Sequence, residues 1–432
     1  MGKSKGIFTV LVMLVIQYIG PGIADTKDIN WQAIATKEIM LFYPAQSHWQ
    51  WLNSQAHEGS AEVRTGEACL NCHEGQEKEM GKELVKGGPL EPTPIEGKPG
   101  HKVLKVQAAY DNENIYMRYQ WDSKEPGKFH DFWRYDGEKW EEYGGHRVSA
   151  AVTKKGQPPN YEDRLALLID DGNTEGFSKF GCFITCHDSM RHMPALPTKK
   201  EVKQHPYLGK KKNRNDIRKY IPQSRQEGGG WADVKPEDEV KALQAKGVFL
   251  DLWQWRAHRS NPVGYADDDW VLEYRWSDKG KLFKKMKLKD GHPPVMFDKS
   301  KTGYYAFQWD DRNKVKYYYL TTENSVPYDP QKYKPKKGDI IPQRLIEAEP
   351  SGSRADVKAD GEWKDGKWTV ILTRKLNTGD RATDKAFKRG KKYTVGLAVH
   401  DDHVTTRFHH VSLPQVMGFD DPQADINVMK IK

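Results

Sequence analysis

Short runs in which apolar and polar positions alternate dominate this chain, and long amphipathic helical stretches are scarce. From Val103 to Tyr110 and from Ile115 to Trp121 the residues are β-branched and aromatic, with the turn Asp111-Asn112-Glu113-Asn114 between them. This is the pattern of a β-hairpin. Further strands are predicted from Arg164 to Asp170, Val248 to Ala257, Trp270 to Trp276 and Tyr393 to His400. Asp365-Gly366 marks a second hairpin, between Glu362-Trp363 and the run from Lys367 to Leu376, because Asp-Gly accepts the positive φ angles of a tight turn. A third hairpin is expected across Asp310-Asp311-Arg312-Asn313, from Tyr304 to Trp309 and from Val315 to Leu320. Helical spacing is confined to the N-terminal part, from Trp31 to Met40 and from Ser47 to Ala56, with Glu58-Gly59-Ser60 as a stop. Residues 122–160 read as irregular and aromatic, and 197–240 and 323–350 as loop-rich insertions. Short strands with frequent turns and no regularly spaced helices predict a mainly β fold: a β-sandwich behind an N-terminal helical segment.

The expected organisation is an export signal over 1–24, the helical segment over 25–100 and the β-sandwich over 101–432. Lys3 and Lys5 precede an apolar stretch from Ile7 to Ile19, and Gly22-Ile23-Ala24 offers small residues for cleavage before Asp25. An uncleaved anchor is the rival, but a spanning helix needs roughly 20 apolar residues. The mature chain is therefore expected to be periplasmic or extracellular. With 37% hydrophobic and 30% charged residues it has the composition of a soluble protein. Its formal charge of +9 is either a solvated basic surface or a means of steering towards an acidic partner. No nucleic-acid motif accompanies it.

The four cysteines fall in two stretches. Cys69-Leu70-Asn71-Cys72-His73 is a C-x-x-C-H run, the attachment pattern of a c-type haem. Two thiols at this spacing add to the two vinyl groups of one porphyrin edge, and the next residue supplies a nitrogen to the iron. Zinc would want further ligands at short spacing, and a redox dithiol would want a βαβ setting; the flanks offer neither. Cys182-Phe183-Ile184-Thr185-Cys186-His187 is a one-residue-longer echo. Its alternatives are a disulfide or a pair of buried thiols. Two covalent haems c are expected, with His73 and His187 as iron ligands.

The second iron ligands are less local. His57 ends the helix ahead of the first motif, with His48 as runner-up. For the second haem, His258 follows a buried-looking strand, and His400, His403, His409 and His410 crowd one C-terminal segment. His400 and His403 are favoured, because His400 ends a strand that would hold it rigidly. Met190 and Met193 lie too near His187 to reach the opposite face and are read as packing.

Several stretches together resemble the ethylbenzene-dehydrogenase-related cytochrome family, whose haem-binding domain also forms the gamma subunit of dimethyl-sulfoxide-reductase-type molybdoenzymes. They are Asp163-Arg164-Leu165-Ala166-Leu167-Leu168 leading to Gly181-Cys182 and His187-Asp188, then Asp251-Leu252-Trp253-Gln254-Trp255-Arg256-Ala257, the hairpin from Val103 to Trp121, and His57-Glu58-Gly59-Ser60-Ala61. The resemblance implies a haem-holding β-sandwich and a role in electron transfer. In gamma subunits the haem is b-type with Met and Lys ligands. The cysteines here depart from that pattern, so such ligation is not carried over. The expected function is one-electron relay between redox partner proteins, among them a molybdoenzyme or other cytochromes. The alternatives are a haem enzyme with one open iron, a molybdoenzyme's haem subunit, and a self-assembling haem polymer.

Overall fold

The computed structural model describes residues 28–144, 160–185, 196–277, 282–403 and 408–431. Its centre is one 13-stranded sheet, formed by β1 (Lys37–Phe42), β2 (His101–Tyr110), β3 (Asn114–Asp122), β4 (Arg164–Asp170), β5 (Leu250–Arg256), β6 (Asp267–Val271), β7 (Arg275–Ser277), β8 (Lys358–Lys364), β9 (Lys367–Lys375), β10 (Lys392–His400), β11 (His410–Val411), β12 (Gln415–Phe419) and β13 (Ile426–Lys430). The main path runs β8-β9-β3-β2-β1-β11-β10-β4-β5-β6-β7, and β12 and β13 make a second bridge between β10 and β2. The sheet folds over on itself as a sandwich. One face carries Met117, Tyr119, Trp121, Trp368 and Val370; the other carries Leu165, Leu167, Trp253, Trp255 and Leu397. Trp368 links the two, 6.2 Å from Trp121 and 5.0 Å from Trp255 between ring centroids.

The predicted hairpins β2–β3 and β8–β9 are present, the second with Trp363 opposite Trp368 across Asp365-Gly366. Strands β4, β5 and β10 form where the alternation placed them. Four local expectations are corrected. The run from Trp31 to Met40 is a short 3-10 turn, Trp31–Ala33, followed by β1 rather than a helix. Its Ile39 and Leu41 point into the sandwich core, and β2 and β11 pair with its two edges, so tertiary pairing overrides helical spacing. From Ser47 to Ala56 only Trp49–Leu52 is helical. The stretch from Trp270 to Trp276 is not one strand but the β6–β7 hairpin, with Trp270 opposite Trp276. Tyr304 to Leu320 is not a hairpin: Trp309–Asp311 is a 3-10 turn and Phe307–Gln308 pairs with Asp339–Pro342 instead.

That last strand also pairs with Asp131–Tyr135, which pairs with Trp140–Gly144. The irregular aromatic stretch and the 323–350 insertion thus meet in a satellite lobe, cored by Phe129, Phe132, Trp133, Phe297, Phe307 and Ile340. Ahead of the sandwich lie four short helices: α1 (Trp49–Leu52), α2 (Ser60–Thr65), α3 (Cys69–His73) and α4 (Glu77–Leu84).

Candidate functional site

Helix α3 is a single turn holding the first motif. At helical spacing Cys69 and Cys72 are three residues apart and His73 is four from Cys69, so all three lie on neighbouring positions of one side. Burial pushes the Cys69 thiol up to about 11. Beside it opens a cavity of about 680 Å³, lined by Phe42, Leu52, Met80, Leu84, Phe183 and Leu413 together with Cys69, His57 and His73. The wall is apolar and contains the two histidines the sequence singled out.

The His57 and His73 rings lie with centroids 6.4 Å apart and planes tilted by 36°. Two metal–imidazole bonds of about 2.0 Å each, plus two half-rings, add up to a separation of about 6 Å. His57 donates its Nδ1–H to the Leu52 carbonyl at 3.1 Å, and His73 Nδ1 lies 3.4 Å from Gln76 Oε1. Engaging Nδ1 as a donor leaves Nε2 with its lone pair, as a metal ligand needs. Gly59 sits against the His57 ring, and a Cβ there would lie 3.3 Å from His57 Cε1. His48 instead accepts from the Trp51 amide and caps α1. The residues present fit a porphyrin held between two imidazoles.

Cys182 lies in the 3-10 turn Gly181–Thr185 and lines a second cavity, of about 390 Å³. Cys186, His187, Met190 and Met193 lie outside the described residues. The cavity floor is the outer face of β10, β4 and β5. Register puts Gly396 beside Leu168 and Leu252, Ala398 beside Ala166 and Gln254, and His400 beside Arg164 and Arg256. These are alternate residues, so they share one face, while Leu397, Leu167 and Trp253 between them enter the core. A Cβ on Gly396 would lie 2.5 Å from Cys182 Sγ; glycine there makes the room that the thiol occupies. His409 also lines the cavity, its ring stacked on His400 at 4.5 Å.

His403 is not among the lining residues; its backbone is left-handed at φ 58°, and burial holds its imidazole below the usual range, with Glu125 and Arg312 the nearest charged influences. His258 is buried in the satellite-lobe boundary, with Nδ1–H donated to the Lys128 carbonyl at 2.9 Å. His410 is bound through Nε2–H to the Pro99 carbonyl at 2.8 Å. Adjacent residues line the two cavities: Cys182 the second and Phe183 the first, where it stacks on Phe42 at 6.0 Å.

The sequence reading passed over Phe183, Gly396 and the arginines that line the second cavity. The arginines' one local signal was Arg164 two residues before Ala166 and Arg256 two residues after Gln254, on the non-core face of their strands.

The family model described as "Ethylbenzene dehydrogenase" matches residues 30–412, which bears out the resemblance read from the sequence. "Cytochrome c-552" from Stutzerimonas stutzeri is 26% identical over 429 residues, 99% of each chain. "Cytochrome c-551" from Rhodocyclus tenuis is 26% identical over 172 residues, 40% of this chain and 60% of that one.

Proposed function

Because this chain belongs to the ethylbenzene dehydrogenase family, we propose that it is an exported dihaem c-type cytochrome that relays single electrons between redox partners. Its similarity to two proteins named as c-type cytochromes supports the class. Cys69 and Cys72 hold the first haem, with His73 and His57 on its two faces. Cys182 and Cys186 hold the second, with His187 on one face and His400, the favoured C-terminal histidine that lines the cavity, as candidate for the other. Bound haem supplies a one-electron couple; the protein sets its ligands, burial and access.

The observation that carries the relay reading is the His57–His73 pair, which lines one apolar cavity with ring centroids 6.4 Å apart. With His57 and His73 as ligands, a haem bound here would have no iron position open to substrate, which favours outer-sphere transfer. That the neighbouring residues Cys182 and Phe183 each line one of the two cavities supports exchange between the two centres. Among the described residues no helix is long and apolar enough to cross a membrane, and the signal read over 1–24 lies outside them. The relay reading is tested by a pyridine haemochrome assay and a mass spectrum of the mature protein, with carbon monoxide added to the reduced form. Two covalent haems and no carbon monoxide shift support it; one haem, or an iron that takes carbon monoxide, overturns the dihaem or the closed-site part respectively.

The family match also favours a second reading, a haem subunit bound to a periplasmic molybdoenzyme. Copurification of a large molybdenum-containing partner from the native source would select it.

A further inference from the structure

The second cavity changes character along its length. At the Cys182 end its floor is Gly396, Leu168 and Leu252; four residues further along the strands it is His400, Arg164 and Arg256. At about 3.4 Å per residue the two ends are about 13 Å apart. Arg259, Arg275 and Arg344 also line the cavity, while no Asp or Glu does among the described residues. Carboxylates stand behind the guanidiniums instead: Asp267 at 2.8 Å from Arg256, Asp269 at 2.5 Å from Arg275, Asp131 at 2.8 Å from Arg344, and Glu162 against Arg259. Arg164 is the exception. Its side chain is 11% exposed, its contact to Glu162 is a long 3.5 Å, and its Nε, like that of Arg344, has no hydrogen-bond partner among the described residues. Burial, and then the charges of Arg259, Arg256 and Arg275, press its guanidinium well below the usual arginine range. A buried group repelled by its neighbours and left with an open donor is a site for an anion.

We propose that this end of the cavity recognises the two carboxylates of the second porphyrin, with Arg164 as the central donor, and so decides which way round that porphyrin enters. A haem has vinyl groups on one edge and two propionates on the opposite one. The cavity has a thiol and an apolar floor at one end and guanidiniums at the other. Planar guanidinium donors match carboxylates bidentately. The inference rests on the proposed attachment of a second haem at Cys182 and names what orients it.

The test uses the full-length holoprotein with Arg164→Gln, Arg164→Lys and Arg344→Gln, the last lying outside the floor strands. Covalent haems are counted by mass and both midpoint potentials are read by spectroelectrochemistry. A cation beside a haem favours its reduced form. Both glutamine variants are therefore expected to keep two haems and to lower one potential, leaving the other unmoved, with Arg164→Lys returning most of the shift. Should Arg164→Gln not fold, Arg344→Gln carries the same expectation. Two haems with both potentials unmoved overturns the proposal and makes the arginines structural partners of Glu162 and Asp131. A wild-type protein with one covalent haem overturns the attachment reading itself, and the two failures are told apart by the mass alone.

Discussion

The proposed ligand His57 donates its Nδ1–H to the Leu52 carbonyl at 3.1 Å, which leaves the Nε2 lone pair available, with the ring centroid 6.4 Å from that of His73. His57→Ala is expected to open the first iron, turning a low-spin spectrum partly high-spin and allowing carbon monoxide to bind; absorption spectra of the two redox states check this. Gly396 works by absence. A methyl group there meets Cys182 Sγ at 2.5 Å, so Gly396→Ala is expected to lower occupancy of the proposed second attachment site, read as lost covalent haem by mass. Asp356 is a residue-scale liability. Burial and the neighbouring Asp384 push its carboxyl up to about 6, above the roughly 3.9 of an unfolded chain. The folded state therefore binds this proton more tightly, a stabilisation present below about pH 4 and lost as pH rises through about 6. Asp356→Asn should unfold at a higher temperature than wild type above pH 6, and the gap should close towards pH 4.

Strands β4 and β5 serve two purposes at once. Leu165, Leu167, Trp253 and Trp255 build the sandwich core, while Ala166, Leu168, Leu252 and Gln254 line the second cavity. The core face was legible from alternation. The cavity face was not, because small and polar residues on alternate positions read the same whether they meet water or a cofactor. Trp255 packs on Trp368 at 5.0 Å and donates its Nε1–H to Asn261 Oδ1 at 2.8 Å. Trp255→Ala should cost about 3–5 kcal/mol, measured by denaturant unfolding. The helix expected over β1 was misjudged for the opposite reason: its apolar residues satisfy a helical spacing, and partner strands on both edges decided otherwise.

At the scale of the whole molecule the N-terminal segment is stitched into the sandwich. Strand β1 lies between β2 and β11, and its Phe42 forms part of the first cavity. Removing residues 1–100 would leave the β2 and β11 edges unpaired and uncover an apolar face. That truncation is expected to aggregate or unfold rather than yield a stable one-haem domain, as size-exclusion chromatography and circular dichroism would show. The same stitching brings the two cavities to either side of Cys182–Phe183.

The sequence by itself determined what covalent adjacency determines: the thiol spacing at Cys69 and Cys72, the histidine beside it, the Cys182 echo, and the alternation that makes β2 to β5, β8, β9 and β10 strands. The placement of His57 beside the first motif was legible too, since it stands shortly before that motif and lines the same cavity as His73. Only the tertiary structure decided which distant residues converge. Phe42, Phe183 and Leu413 meet at one cavity, and Arg164, Arg256, Arg275 and Arg344 at the other, across separations in sequence that no local pattern encodes. Ladder register does this work: a strand's alternation says which residues share a face, but pairing with its neighbours says which rows align, and the rows make the site.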